Sequence, residues 1–383
     1  MGEGRDALGN LKEIKLKTLK FIYNTSYQFC YYVCRPRPKR VTFATMRNAK
    51  LVDNLKQLYD TFEENGDYEL KAFCFHYDRS WKSRLLFFWY SLMSVYYVAT
   101  SHLFIIDDYF FPLYSLKKHR KNVVIQTWHA IGTLKKFGLS LPNAQKSVIK
   151  PHTNYDWVVV NTEADRQAYA DAFDIENSHI LPLGQPMLDT VSKSSINLPP
   201  NHKKKLLYSP TYRSNDSKKV LTAVNDMIKA TASLKEDWEI YISIHPYVNM
   251  KSNLPKLPKN VHLFQDPALV KKIMPKVDVF ITDYSSLLLN FSYFERPILL
   301  FTPDYQDYSQ EQGFYVDYFN YLHAPSFKQT SSLMTFINED LSHVDLDYVR
   351  QLKQKNFPNQ DGHNSDRVYN FLTSINRYGE QRL

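Results

Sequence analysis

The sequence predicts an α/β chain of two doubly wound parallel-sheet domains, on three observations. Its 383 residues exceed one ordinary domain and leave room for two cores of about 150–200 residues. Hydrophobic residues make up 44% and aromatics 15%, with 28 Tyr and 24 Phe, which excludes a disordered chain. Short apolar runs alternate with helical stretches on both sides of a polar, Pro-containing segment at 192–205, and such alternation implies parallel strands joined by crossovers.

In chain order, the short runs rich in β-branched and aromatic residues predict strands over 41–45, 69–75, 103–107, 123–127, 157–161 and 179–183. The longer stretches between them predict helices over 50–64, 81–100 and 163–173. After the 192–205 linker, strands are expected over 206–209, 239–244, 261–264, 279–282 and 297–301, with helices over 220–234, 268–275 and 287–294. The stretch 331–376 reads as helical and able to pack back across both domains. This divides the chain into a basic amphipathic segment (1–38), a first domain (39–191), the linker, a second domain (206–345) and C-terminal helices (346–383).

The net charge of +9 is concentrated: the first 40 residues hold nine Lys and Arg against three acids, so it does not describe a nucleic-acid face. Leu8, Leu11, Ile14, Leu19, Ile22, Phe29 and Val33 recur among them at roughly helical spacing, followed by Tyr27, Tyr31 and Tyr32. Two readings stand: a basic helix with an aromatic rim on an anionic membrane surface, or a first helix packed on the body. The apolar stretch 85–99 is shorter than the ~20 residues of a transmembrane helix and is expected to be a buried helix. The three cysteines, Cys30, Cys34 and Cys74, lack the partners of a zinc site, and with no cleavable signal peptide the composition suits a reducing cytosol.

Open α/β sheets bind ligands beyond the carboxyl ends of their strands, and two such sheets would face each other across a cleft. Four segments fall there. The strand at 123–127 delivers Trp128 and His129 into a turn before Gly132, which suits a general base, since imidazole titrates near neutrality. The strand at 239–244 ends in His245-Pro246, a second histidine at an equivalent place. Ser209-Pro210-Thr211-Tyr212-Arg213 brings hydroxyls and a guanidinium fork that suits a phosphate or, equally, a surface ion pair. Thr282-Asp283-Tyr284-Ser285-Ser286 precedes an apolar helix, where hydroxyls and free backbone N–H groups favour an anion. No glycine-rich phosphate loop is present among only ten glycines, so phosphate would be held by helix ends and side chains.

In this order and spacing, Thr127-Trp128-His129-Ala130, the 209–213 segment, His245-Pro246 and the 282–286 segment resemble the CDP-glycerol glycerophosphotransferase family of wall teichoic acid synthesis in Gram-positive bacteria, over roughly residues 40–370. Gln312-Gly313-Phe314-Tyr315-Val316-Asp317-Tyr318 continues the match. The resemblance implies a glycosyltransferase-B fold of two Rossmann-like domains and CDP-glycerol as donor. It implies His129 as base, His245 as a second catalytic group, and Trp128, Ala130, Pro210, Thr211, Arg213, Asp283, Ser285, Ser286 and Asn290 as substrate-binding positions. No cofactor or metal is implied. Met187, Asn290 and Gln312 depart from the Arg, Asp and Arg frequent there, which bears on how the diphosphate is neutralised and on donor choice.

Ala130 after His129 resembles the primases, which add the first glycerol phosphate to a polyprenyl-diphosphate-linked disaccharide (N-acetylmannosaminyl-N-acetylglucosamine) and release CMP. Such an enzyme would be peripheral on the cytoplasmic face of the cell membrane. An elongating transferase or polymerase, a nucleotide-sugar glycosyltransferase and a non-catalytic glycolipid-binding protein are the alternatives.

Overall fold

The computed structural model describes residues 3–77, 80–141, 149–193, 203–213, 217–235, 237–245, 248 and 255–375, with side chains from Glu13 onward except those of Ser217 and Pro267. The expected linker lies mostly outside the described residues, as do Pro246 and the side chains of Arg5 and Lys12. The chain divides into two compact units. The first comprises Met1–His129, Lys136–Asp189 and Asn359–Leu383, and the second Ala130–Lys135 and Thr190–Pro358.

The first unit runs α1 (Glu3–Cys34), β1 (Arg37–Thr45), α2 (Asp53–Asn65), β2 (Glu69–Cys74), α3 (Trp81–Thr100), β3 (Ser101–Ile106), β4 (Val123–Gln126), β5 (Trp157–Val160), α4 (Arg166–Phe173) and β6 (Ile180–Pro182). Its strands form one parallel sheet in the order β2-β1-β3-β4-β5-β6. The strands are apolar on both sides because helices cover both faces. Leu103 and Ile105 of β3 join Phe43, Leu55, Leu58 and Phe62 on one face, while Phe104 and Ile106 join Tyr23, Val95 and Val98 on the other. The strand order reverses between β1 and β3, and the crevice at such a switch point is where doubly wound sheets hold ligands. Asp107 and Asp108 follow β3 directly at that point.

Continuing, the second unit runs β7 (Lys204–Ser209), α5 (Ser217–Ala230), β8 (Trp238–Ser243), β9 (Val261–Phe264), α6 (Pro267–Ile273), β10 (Val279–Thr282), α7 (Leu287–Phe291), β11 (Ile298–Phe301), α8 (Tyr305–Gln312), α9 (Tyr318–Leu322), β12 (Ser326–Phe327), α10 (Thr330–Glu339) and α11 (Asp347–Asn356). Its parallel sheet has the order β12-β11-β10-β7-β8-β9, so its reversal lies between β7 and β10. The short strand β12 and helices α8 and α9 have no counterpart in the expected elements. The last helix, α12 (Asn364–Ser374), belongs to the first unit, where the Asp189 carboxylate accepts from the backbone N–H groups of Asn364 and Ser365. The stretch expected as one block of C-terminal helices is therefore divided, with α11 in the second unit and α12 in the first.

The N-terminal helix packs on the body along one face and leaves the other exposed. Inward, Tyr23 and Tyr27 are buried. The Tyr27 hydroxyl donates to Asn122 Oδ1 (2.6 Å) and accepts from His119 N (2.9 Å), while Asn122 donates to the carbonyls of Ala99 and Ser101. Outward, Ile14, Phe21, Phe29, Tyr32 and Val33 are exposed. Helix α3, which α1 contacts, also shows an apolar outer stripe of Trp81, Leu85, Trp89 and Met93, every fourth residue. The expectation of a fully buried helix at 85–99 is thus corrected on that face. Among the described residues no helix is long and apolar enough to cross a membrane.

Candidate active site

In the first unit, β4 ends at Gln126, and Thr127 is held to β3 by two bonds onto the Ile106 carbonyl, from its N–H (2.8 Å) and its hydroxyl (3.1 Å). Trp128 then adopts a left-handed backbone (φ 56°), which costs a non-glycine residue about 1–3 kcal/mol unless its surroundings enforce it. They do. Gln126 Oε1 accepts from Trp128 N (2.8 Å), and Asn54 at the start of α2 donates to the carbonyls of Thr127 and Trp128 (3.2 and 2.9 Å). The Trp128 ring packs on Phe137, Phe173 and His152.

This reversal turns His129 back over the end of β3. Its Nδ1 lies 3.3 Å from the Asp107 carbonyl oxygen and 3.6 Å from Asp108 Oδ2. A carbonyl can only accept, so the contact assigns the proton to Nδ1 and the basic lone pair to Nε2. The two neighbouring aspartates differ in surroundings. Asp107 is buried, its Oδ1 has no hydrogen-bond partner, and burial, with the Asp108 charge adding to it, pushes its carboxyl up to about 7. Asp108 is partly exposed, accepts from Tyr109 N (2.6 Å) and has Arg47 Nε at 3.9 Å. His152, enclosed by Tyr109, Tyr114, Trp128 and Phe173, is pushed down to about 4 by burial, against the pull of Asp108.

In the second unit the loops after β7, β10 and β11 are tied by one guanidinium. Arg213 donates from Nη1 to the Thr211 carbonyl (2.7 Å), from Nη2 to Asp283 Oδ2 (2.8 Å), and from Nε and Nη2 to Asp304 (2.9 and 3.0 Å). It lies beside the stacked rings of Tyr284 and Tyr308, 4.9 and 4.6 Å from their centres. Burial opposes its charge, but Asp283 and then Asp304 outweigh burial and raise its pKa. Asp283 Oδ1 accepts from Thr211 N and Tyr284 N (2.8 and 2.6 Å). Of the two readings of this fork, phosphate ligand or surface ion pair, the geometry matches an ion pair, though a largely enclosed one, with the fork turned onto protein carboxylates. A cavity of about 700 Å³ opens beside it, lined by Thr211, Lys218, Asp283, Asp304, Lys328 and Thr330 among others.

Lys135 joins this cluster. The segment Ala130–Lys135 belongs to the second unit, where Leu134 O accepts from Tyr315 N (3.0 Å) and Lys135 forms a bridge with Phe314. Gly132 (φ 69°) approaches α7 so closely that a Cβ would fall 2.3 Å from Leu289 Cδ1. Burial pushes the Lys135 ammonium down to about 8, against Asp283.

The other expected residues sit at strand ends. His245 follows β8 and stacks on Tyr212 (4.9 Å between ring centres). Pro210 is buried after β7. Ser285 Oγ accepts from Leu287 N (3.3 Å), whereas the Ser286 side chain makes no capping bond. Helix α7 spans only Leu287–Phe291 before tightening into a 3₁₀ turn, shorter than expected, and so offers little dipole for an anion; Asn290 is buried within it. Ala130 is half-buried in the second unit's segment, and Met187 N donates to Asn54 Oδ1 (2.9 Å).

Sequence reasoning missed Asp108, Gln126, Asn54 and Asp304. The acidic pair after an apolar strand was visible as a pattern, but its meeting with His129 is tertiary. Among the described residues no group of His, Cys, Asp and Glu is arranged to hold a metal ion.

The model of the family described as CDP-Glycerol:Poly(glycerophosphate) glycerophosphotransferase matches residues 27–374. The teichoic acid ribitol-phosphate primase of Bacillus spizizenii is 29% identical over 95% of this chain and 98% of its own length. The teichoic acid glycerol-phosphate primase of Bacillus subtilis is 27% identical over 74% and 76%. Among solved structures, the wall teichoic acid polymerase TagF superposes with a TM-score of 0.71 at 17% identity, over 97% of this chain and 98% of that one. The UDP-GlcNAc 2-epimerase of Neisseria meningitidis gives 0.54 at 10%, over 87% and 99%. These two likenesses show the fold.

Proposed function

Because this chain belongs to the CDP-glycerol:poly(glycerophosphate) glycerophosphotransferase family and is a transferase of wall teichoic acid synthesis, we propose that it moves glycerol phosphate from CDP-glycerol to a polyprenyl-diphosphate-linked disaccharide and releases CMP. The observation that carries the reading is His129, held at the end of β4 with Nδ1 against Asp107 and Asp108.

The acceptor hydroxyl attacks the glycerol-bearing β-phosphate, a new P–O bond forms, and the bond to the bridging oxygen breaks, so CMP departs with that oxygen. Nε2 of His129 takes the hydroxyl proton. Phosphoryl transfer otherwise rests on positioning and charge stabilisation. Those tasks fall to His245, Thr211, Ser285 and Ser286, while Arg213 and Asp283 tie together the loops that carry Thr211 and the two serines.

The acceptor is membrane-bound, and the exposed apolar stripes of α1 and α3 are the surface that meets the bilayer, on its cytoplasmic face. A second reading replaces the donor by CDP-ribitol, favoured by the near-complete overlap with a ribitol-phosphate primase. Incubation with each CDP-polyol and the lipid disaccharide, following CMP and product mass, decides. A single glycerol phosphate per acceptor supports priming, a ladder of products moves the assignment to elongation, and no CMP from either donor overturns the proposal.

A further inference from the structure

The loop after β3 carries a residue for which the reaction, as described, has no task. Asp108 places Oδ2 3.6 Å from His129 Nδ1, on the same nitrogen that faces the Asp107 carbonyl at 3.3 Å. Its backbone is fixed independently, since the Asp108 carbonyl accepts from Gln126 Nε2 (3.1 Å), whose Oε1 accepts from Trp128 N. One amide therefore locks the two loops in register. A second bond, from Gln126 Nε2 to the Tyr155 hydroxyl (3.2 Å), braces that amide in turn.

We propose that Asp108 is the positioning residue of the base: its carboxylate, with the Asp107 carbonyl, holds Nδ1–H of His129 and stabilises the imidazolium formed when Nε2 takes the acceptor proton. The inference rests on the reading of His129 as base. Asp107 cannot take the same part, because its carboxyl is buried away and only its carbonyl meets the imidazole. Burial raises the Asp107 carboxyl to about 7 and so disfavours its charge, whereas the carboxylate of Asp108 is partly exposed and faces the imidazole. The other charged or titratable groups facing this corner are Arg47, 3.9 Å from Asp108, Asp53, whose charge reaches Asp107, and His152, which senses Asp108.

The test is Asp108→Asn, which keeps an oxygen to accept from Tyr109 N and removes only the charge. In the full chain with CDP-glycerol and lipid acceptor, kcat should fall about tenfold to a hundredfold, a part of the ~10²–10⁴-fold that a general base supplies, with KM for the donor unchanged. The acid limb of the kcat profile should move to lower pH, because an imidazole without an anionic partner is a weaker base. In the His129→Ala background the same substitution should change nothing. Parental kcat and pH profile in Asp108→Asn, with His129→Ala inactive, overturns the pairing alone. An equal loss in both backgrounds, with an unmoved pH profile, overturns it in favour of a structural part. Full turnover by His129→Ala overturns the base itself and the pairing with it.

Discussion

Arg213 donates to both carboxylate oxygens of Asp304, from Nε at 2.9 Å and Nη2 at 3.0 Å, in the bidentate geometry that suits a guanidinium to a carboxylate. The same Nη2 reaches Asp283, so one largely enclosed cation compensates a buried anion, Asp283, and a half-buried one, Asp304. Replacing Arg213 by Ala leaves both carboxylates uncompensated and should destabilise the second unit by about 3–5 kcal/mol. Urea unfolding reads this directly. An unchanged midpoint, with donor KM raised instead, would return Arg213 to the ligand.

The pH dependence of stability follows from Asp107. Its carboxyl is raised to about 7 in the fold, above the unfolded value, so the folded chain holds a proton that the unfolded chain has lost. Stability therefore falls as pH rises from ~4 to ~7, by on the order of 1.4 kcal/mol per pKa unit, and no further above. Asp107→Asn should remove that slope and be more stable than the parent at pH 8, while the two converge at acid pH. Parallel curves for parent and variant would show that Asp107 is ionised in both states.

How much of this was legible depends on what each residue answers to. Parallel strands are buried on both faces, so runs such as 103–106 and 279–282 read as strands without knowing their neighbours. His129 was visible because it follows one. Arg213 was visible as a cation, but its partners lie 70 and 91 residues further along, and nothing local distinguishes a carboxylate from a phosphate. Helix α7 was overextended because Phe291 and Phe294 continue the apolar spacing, while the backbone tightens and ends at Glu295 in a left-handed turn (φ 51°). The outer stripe of α3 was missed for a related reason: an all-round apolar helix reads as buried, and which face lacks a cover is decided by packing.

His129→Ala should lower kcat by ~10²–10⁴-fold with the fold intact, as for loss of a general base. Gln126→Leu should act in the same direction but through geometry, since it frees Trp128 N and the Asp108 carbonyl together. Steady-state kinetics beside a thermal melt separates the two effects. A Gln126→Leu chain that keeps parental turnover would mean the left-handed turn at Trp128 holds without its amide.

Attachment to a bilayer is the last expectation, and the structure changes how it must be tested. Deleting residues 1–38 would remove Tyr23 and Tyr27 from the core and the beginning of β1, so loss of binding could reflect unfolding. Point substitutions avoid this. Trp81, Leu85 and Trp89 are 69%, 64% and 64% exposed, and Phe21 on α1 is 72% exposed, so all four can change without opening the core. Cations stand among them: Lys15, Lys17 and Lys20 on α1, Lys82 and Arg84 on α3. Each cation near an anionic surface contributes about 1 kcal/mol at low salt, and the attraction fades as salt screens it. The apolar side chains add a part that salt leaves in place. Two signatures are therefore expected in sedimentation with anionic vesicles. Changing Lys15, Lys17 and Lys20 to Gln should weaken binding at low salt and flatten its salt dependence, whereas Trp81→Ser with Leu85→Ser and Trp89→Ser should remove the portion that survives high salt. Both variants should keep parental turnover on a water-soluble acceptor analogue. If both still pellet as fully as the parent, the bilayer is met by another surface and the outer stripes of α1 and α3 serve something else.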